Sequence, residues 1–175
     1  MQLWRQIRSI LLLPVAVTIV IPGIILARTP SARLGWGLPA PWRLVPLGGG
    51  LLAMGVGLRL VVQTIRLFAT AGQGTLAPWD PPVRLVVRGV YRRVRNPMIS
   101  GVFAVLLGES AILGARPLAA WCAIFAAVNM IYIPLLEEPQ LERRFGADYR
   151  AYKRNVPRWI PRRRPWEPEE DGSRQ

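Results

Sequence analysis

An all-α integral membrane fold is what this sequence predicts, with four transmembrane helices, a polar connector and a C-terminal helix lying in the membrane interface. Three observations lead there. Of the 175 residues, 51% are hydrophobic and the mean hydropathy is +0.26, which sets the chain apart from ordinary soluble proteins. Four segments approach the ~20 apolar residues that a helix needs to cross a bilayer. The net charge of +13 is carried in the flanks of those segments. It forms no single patch with interleaved aromatics, which argues against nucleic acid and for orientation of the chain in a bilayer.

The first span, residues 9–27, contains no charge. It is long for a signal-peptide core and lacks a small-x-small cleavage site, so it reads as an uncleaved helix. The second, 44–67, carries Arg59 and Arg66. Next comes "ATAGQGTLAPWDPPV" (Ala69–Val83), a loop by its composition, because proline removes donors and glycine opens backbone conformations closed to other residues. In "RLVVRGVYRRVR" (Arg84–Arg95), Arg84, Arg88, Arg92 and Arg95 recur at near-helical spacing, as positive charge at a headgroup surface would. The third span, 97–115, holds only Glu109, and the fourth, 117–136, holds no charge.

Beyond the spans, Leu141, Phe145, Tyr149 and Tyr152 recur every three or four residues against Arg143, Arg144, Arg150 and Lys153. That is the pattern of an amphipathic helix lying in the interface. Residues 1–162 read as one domain, and the charged, proline-rich 163–175 as a disordered tail. Pro14, Pro22 and Pro134 fall inside spans, where they kink helices. Arg59 and Glu109 are the ionisable residues set deepest in the spans. They are expected to pair with each other, with recognition of a substrate headgroup as the alternative.

Basic residues stay on the cytoplasmic side. With four spans, the N-terminus, the Arg66–Arg95 loop and the tail share one side and hold eighteen Lys and Arg, whereas Arg28, Arg33, Arg43 and Arg116 fall on the other. Both termini are therefore expected in the cytoplasm, the membrane being the plasma or inner membrane if the source is bacterial. Trp4, Trp36, Trp42, Trp79 and Trp159 lie near the expected boundaries, as interfacial anchors do.

The chain has no histidine and a single cysteine, Cys122. An internal disulfide is excluded, and a zinc or haem site has no plausible ligand set. Acid–base chemistry would fall to carboxylates, tyrosines or the backbone. The last two spans form a hairpin turning near Gly114–Pro117. Asn96 and Glu137 lie some 19 and 22 residues from that turn, so at ~1.5 Å per residue both return to nearly the same depth. Two polar clusters therefore meet at one end of the hairpin. Glu137 and Glu138, adjacent on a helix, point about 100° apart, so one can face the bundle and the other the connector arginines. A charged helix end paired with arginines is the plain reading. A glycine-rich loop, an Arg-Asn-Pro helix start and a carboxylate pair converging there also suit a polar cofactor meeting a lipophilic substrate.

The order "GxGT…PP..LV..GVY..VRNPM…G" followed by "EEP.LERRFGADYRAY…VPRWIPR", spanning Gly72 to Arg162, resembles the membrane-embedded methyltransferases that include isoprenylcysteine carboxyl methyltransferases and phospholipid N-methyltransferases. The resemblance implies several transmembrane helices and S-adenosylmethionine bound without a soluble Rossmann domain. By position it implies a cofactor site made of Gly72, Gly74, Arg84, Leu85, Val86, Tyr91, Asn96, Pro97, Met98, Ile99, Glu137 and Glu138. Glu137, Glu138 and Tyr91 become the candidate catalytic groups. Asn96 and Pro139 match the phospholipid branch, in which Asn-Pro-Met and Glu-Glu-Pro are usual, while Ile99 stands where both branches have tyrosine.

The expected activity is methyl transfer from S-adenosylmethionine to a phospholipid amine or an isoprenoid thioether-type lipid at the cytoplasmic face. An in-line displacement of this kind demands alignment and exclusion of water, and no metal. The rivals are a membrane reductase using a nicotinamide cofactor and a non-catalytic membrane scaffold. The expected partners are the bilayer and a hydrophobic substrate.

Overall fold

The computed structural model describes residues 11–71 and 85–167, and every regular element among them is helical. A π-wound stretch, Leu11–Val20, tightens into α1 (Ile21–Ala27). Pro14 lies within the wide winding, where its ring keeps the ladder from closing in α geometry. Pro22 opens α1, a position at which a missing N–H is harmless. A short 3₁₀ turn (Leu34–Gly37) leads into α2 (Leu44–Ala71). After the connector come α3 (Pro97–Leu113), α4 (Arg116–Tyr132), a π-wound Ile133–Glu137 containing Pro134, and α5 (Glu138–Asn155).

The expected hairpin forms between α3 and α4. Gly114 closes α3 in the left-handed region (φ 57°, ψ 36°) and donates its N–H to the Ser110 carbonyl at 3.1 Å. A side chain there would strike the Arg33 carbonyl and the Trp36 backbone, so the position requires glycine.

The closest packing in the bundle joins α2 to α3. A Cβ on Gly57 would lie 2.6 Å from the Gly101 carbonyl, and one on Gly108 would lie 2.6 Å from the Gly50 carbonyl. The two glycines on each helix are two turns apart and share a face, so the antiparallel backbones approach closely at these positions, flanked by side chains such as Met54 and Val105. This register corrects the pairing expected of Arg59 and Glu109. With residue 57 opposite 101 and 50 opposite 108, Arg59 is level with residue 99 and Glu109 with residue 49, about 15 Å apart along the axis. Arg59 is exposed, and Glu109 Oε2 is buried with no hydrogen-bond partner among the described residues.

Two helical stretches, Leu44–Leu67 and Arg116–Asn155, are long and apolar enough to cross a membrane, by length and composition. In the second, the apolar part ends at Leu136. Pro14–Ala27 and Pro97–Leu113 are apolar but shorter, so among the described residues two of the four expected spans reach that length, the first expected span beginning before them. Large apolar side chains point outward along α2 (Leu51, Leu52, Val56, Leu58) and α4 (Ile124, Val128, Met130, Ile131). Such contiguous apolar surface suits hydrocarbon and not water.

Inside, Val102, Leu106 and Cys122 pack with Val17, Val61, Trp121 and Phe125. The Trp121 indole donates to the Val17 carbonyl at 3.1 Å and ties the π-wound stretch to α4. A second cluster lies at the polar end of the hairpin, where Tyr149, Tyr152 and Val156 are buried against Leu85, Val87, Leu141, Phe145 and Trp166. The apolar face of α5, expected to rest on the membrane, is thus covered by the connector and the tail. α5 also turns at Gly146 (φ 56°, ψ −124°), so it is bent where a straight interfacial helix was expected.

Candidate functional site

The site is built where the hairpin ends meet. Residues 85–88 of the connector have no regular structure, and Arg88 is extended (φ −135°, ψ 156°) before a 3₁₀ turn at Gly89–Arg92. The near-helical spacing of the arginines is therefore not a helix. Leu85 faces the tyrosine cluster beside Val87. Tyr152 donates its hydroxyl hydrogen to the Tyr91 carbonyl at 2.8 Å, which fixes the 3₁₀ turn against α5. Asn96 caps α3 in position only: its side chain makes no capping bond, Pro97 follows it buried, and Ser100 N–H reaches the Asn96 carbonyl at 3.0 Å. Met98 and Ile99 begin the helix, half-buried.

The adjacent glutamates divide sharply. Glu138 is 2% exposed and lies under three cations, Arg158 at 2.6 Å, Arg95 at 2.8 Å and Lys153 at 3.5 Å. Arg158 holds both carboxylate oxygens, the second at 2.9 Å. Burial acts to raise its pKa, but the Arg158 hydrogen bond and the charges of Arg95, Arg158 and Lys153 outweigh it and hold Glu138 below the usual carboxylate range. Glu137, the first residue past the apolar part of the hairpin, is half-buried and makes no hydrogen bond or ion pair with any described residue. Burial, and then the charge of Glu138, push its carboxyl upward. Burial and the charge of Glu137 push the Tyr91 phenol upward as well, so Tyr91 keeps its proton at neutral pH and can donate a hydrogen bond.

The Arg95–Glu138 contact brings the Arg-Asn-Pro start of α3 to the twin acids. Tyr91, Asn96, Pro97, Met98, Ile99, Glu137 and Glu138 thus belong to one end of the molecule, with Leu85 and Val86 on the irregular segment leading into it. Gly72, Gly74 and Arg84 lie outside the described residues. The sequence reading had one glutamate facing the connector arginines, and Arg95 supplies that contact; Arg158 and Lys153 were missing from it, although "VPRWIPR" carried part of the charge that a buried carboxylate demands.

The tail also differs from expectation. Residues 163–167 were placed in a disordered segment, yet Trp166 N–H donates to the Arg92 carbonyl at 2.8 Å and Arg92 Nε donates to the Trp166 carbonyl at 2.7 Å. The Trp166 ring lies 6.0 Å from that of Tyr152.

The chemistry of the donor set fits a cationic ligand with polar substituents. Glu137 offers a carboxylate with no counter-ion among the described residues and Asn96 an amide not engaged in capping, both at the edge of an apolar hairpin. No curated protein and no solved structure matches the chain. The family profile for phospholipid methyltransferase matches residues 45–148, from the start of α2 into α5 and more than half of the sequence. By that match the chain belongs to the phospholipid methyltransferase family.

Proposed function

We propose that this protein transfers a methyl group from S-adenosylmethionine to an amine-bearing phospholipid at the cytoplasmic surface of a membrane crossed by its four apolar helices. The observation that carries this reading is the contrast at residues 137 and 138. One carboxylate is neutralised by three cations, and its neighbour, at the boundary between apolar hairpin and polar connector, has none among the described residues. A half-buried carboxylate without a counter-ion favours a cation beside it. Both the ammonium and the sulfonium of S-adenosylmethionine supply one.

When bound, S-adenosylmethionine supplies an electrophilic methyl on sulfur. That chemistry would methylate the neutral amine of the acceptor, the cofactor leaving as its thioether and the amine proton passing to a carboxylate. Glu137 is the group placed to take it, because Glu138 is already committed to its arginines. Tyr91 and Asn96 orient polar groups by hydrogen bonding, and the apolar hairpin brings the lipid and excludes water. Asn96-Pro97-Met98 and Glu137-Glu138-Pro139, together with the family match, support a phospholipid amine over an isoprenoid thioether-type lipid.

The test is incubation of purified protein with methyl-labelled S-adenosylmethionine and a total lipid extract. Label in an amine-containing phospholipid is expected. Binding of S-adenosylmethionine with no labelled lipid would retain the cofactor and remove the acceptor, and tight binding of NADPH instead would favour a reductase.

A further inference from the structure

Residues 157–166 carry a surface that methyl transfer does not use. Three backbone hydrogen bonds clip this segment to the connector: Arg95 N–H to the Pro157 carbonyl at 2.9 Å, Arg162 N–H to the Arg93 carbonyl at 3.0 Å and Trp166 N–H to the Arg92 carbonyl at 2.8 Å. Arg93 NH1 adds a bond to the Arg163 carbonyl at 2.8 Å, and Arg158 is locked on Glu138. These anchors fix the depth of the segment. Arg95 precedes the first residue of α3, and Glu138 follows the last apolar residue of the hairpin by two positions. Residues 157–162 therefore lie at the edge of the apolar layer.

At that edge Ile160 is 79% exposed. A large aliphatic side chain held outward on a clipped segment has nothing among the described residues to cover it. Trp159 precedes it, and Arg163 and Arg164 stand exposed beside it without an acidic partner among the described residues. An aliphatic tip, an amphipathic ring and two exposed guanidinium groups match a leaflet of anionic lipid: isoleucine into the acyl boundary, tryptophan at the headgroups, arginine on the phosphates.

We propose that residues 157–166 form a strap that seats Trp159 and Ile160 in an anionic lipid leaflet and, through its bonds to residues 92–95, holds the connector against that leaflet. The partner is a lipid of net negative headgroup. The inference rests on the membrane placement of α3 and α4 and is indifferent to which lipid is methylated. Because the connector carries Tyr91 and leads into Asn96, the leaflet would set the geometry of the site from outside it.

The experiment uses full-length protein in lipid nanodiscs, with a nitroxide at Ile160→Cys in a Cys122→Ala background and a second label at Val128→Cys on the outward face of α4. Collision with oxygen and with a water-soluble nickel chelate reports depth. In nanodiscs containing phosphatidylglycerol, the label at 160 is expected to be shielded from nickel. In phosphatidylcholine alone it is expected to be several-fold more accessible. Arg163→Gln and Arg164→Gln should each weaken the anionic-lipid preference about fivefold, the equivalent of one surface arginine. Aqueous accessibility at 160 in both lipids, with 128 buried, overturns the strap, as does equal shielding in both lipids. Aqueous accessibility at both labels would overturn the membrane placement itself.

Discussion

Arg158 grips both oxygens of Glu138, at 2.6 and 2.9 Å, across twenty residues of sequence. The contact closes α5 back on its own start, because the turn at Gly146 returns the chain to the level it left. Arg95 joins from the connector at 2.8 Å, so one buried carboxylate ties three segments together.

Removing that carboxylate should unfold this end of the molecule. Glu138→Ala leaves Arg95, whose side chain is 9% exposed, as a buried cation without a counter-charge, a change costing about 3 kcal/mol. A fall of several degrees in Tm in detergent is expected, with Glu138→Gln intermediate. An unchanged Tm for Glu138→Ala would show that the cluster contributes nothing.

The same cluster sets an acid limit. Glu138 has its pKa lowered in the fold, so its contribution is present above the unfolded carboxylate pKa of about 4.3 and is lost as pH falls through the lower folded value. The Tm gap between the parent protein and Glu138→Gln should be constant from neutral pH to about 5 and should shrink below that. A gap that widened on acidification would reverse the sign.

Glu137 should behave in the opposite way. Glu137→Gln removes a carboxylate that contacts no described cation, so Tm should hold while affinity for S-adenosylmethionine falls roughly 10- to 100-fold, the worth of one charge-assisted hydrogen bond. Calorimetric titration measures it. Because burial raises the Glu137 pKa, kcat/KM for the cofactor should rise with pH through a value above the ordinary carboxylate range, and Glu137→Gln should flatten that limb.

Two glycines on α2 offer a matched comparison. Gly57→Ala would set a Cβ 2.6 Å from the Gly101 carbonyl, whereas Gly55→Ala meets nothing within 4 Å. The first should separate α2 from α3 and lower Tm, and the second should be neutral or stabilising by up to about 1 kcal/mol through helix propensity. Equal effects in a thermal scan would contradict the close helix contact.

Exchanging charges between Arg59 and Glu109 should rescue nothing. The register sets them about 15 Å apart, so an Arg59→Glu, Glu109→Arg double variant should express no better than the product of its single variants. Recovery of expression would require a different packing of α2 on α3.

The hairpin was legible in the sequence because its signals are local: two apolar runs, a Gly-containing turn and polar residues counted outward from it. The bend in α5 was not. Leu141, Phe145, Tyr149 and Tyr152 give the same periodicity whether their face meets lipid or protein, and only Gly146 hinted at a turn. The pairing of Arg59 with Glu109 failed for a related reason, since depth judged from each helix separately ignores the register that Gly50, Gly57, Gly101 and Gly108 impose.

By itself, the sequence determined that this chain is helical and apolar, and that its polar chemistry gathers at one end of a hairpin, because hydropathy and helical rise act residue by residue. Tertiary structure alone decided which of two neighbouring glutamates is spent on arginines and which is left open. That choice depends on where Arg95, Lys153 and Arg158 arrive in space, and spacing along the chain does not encode it.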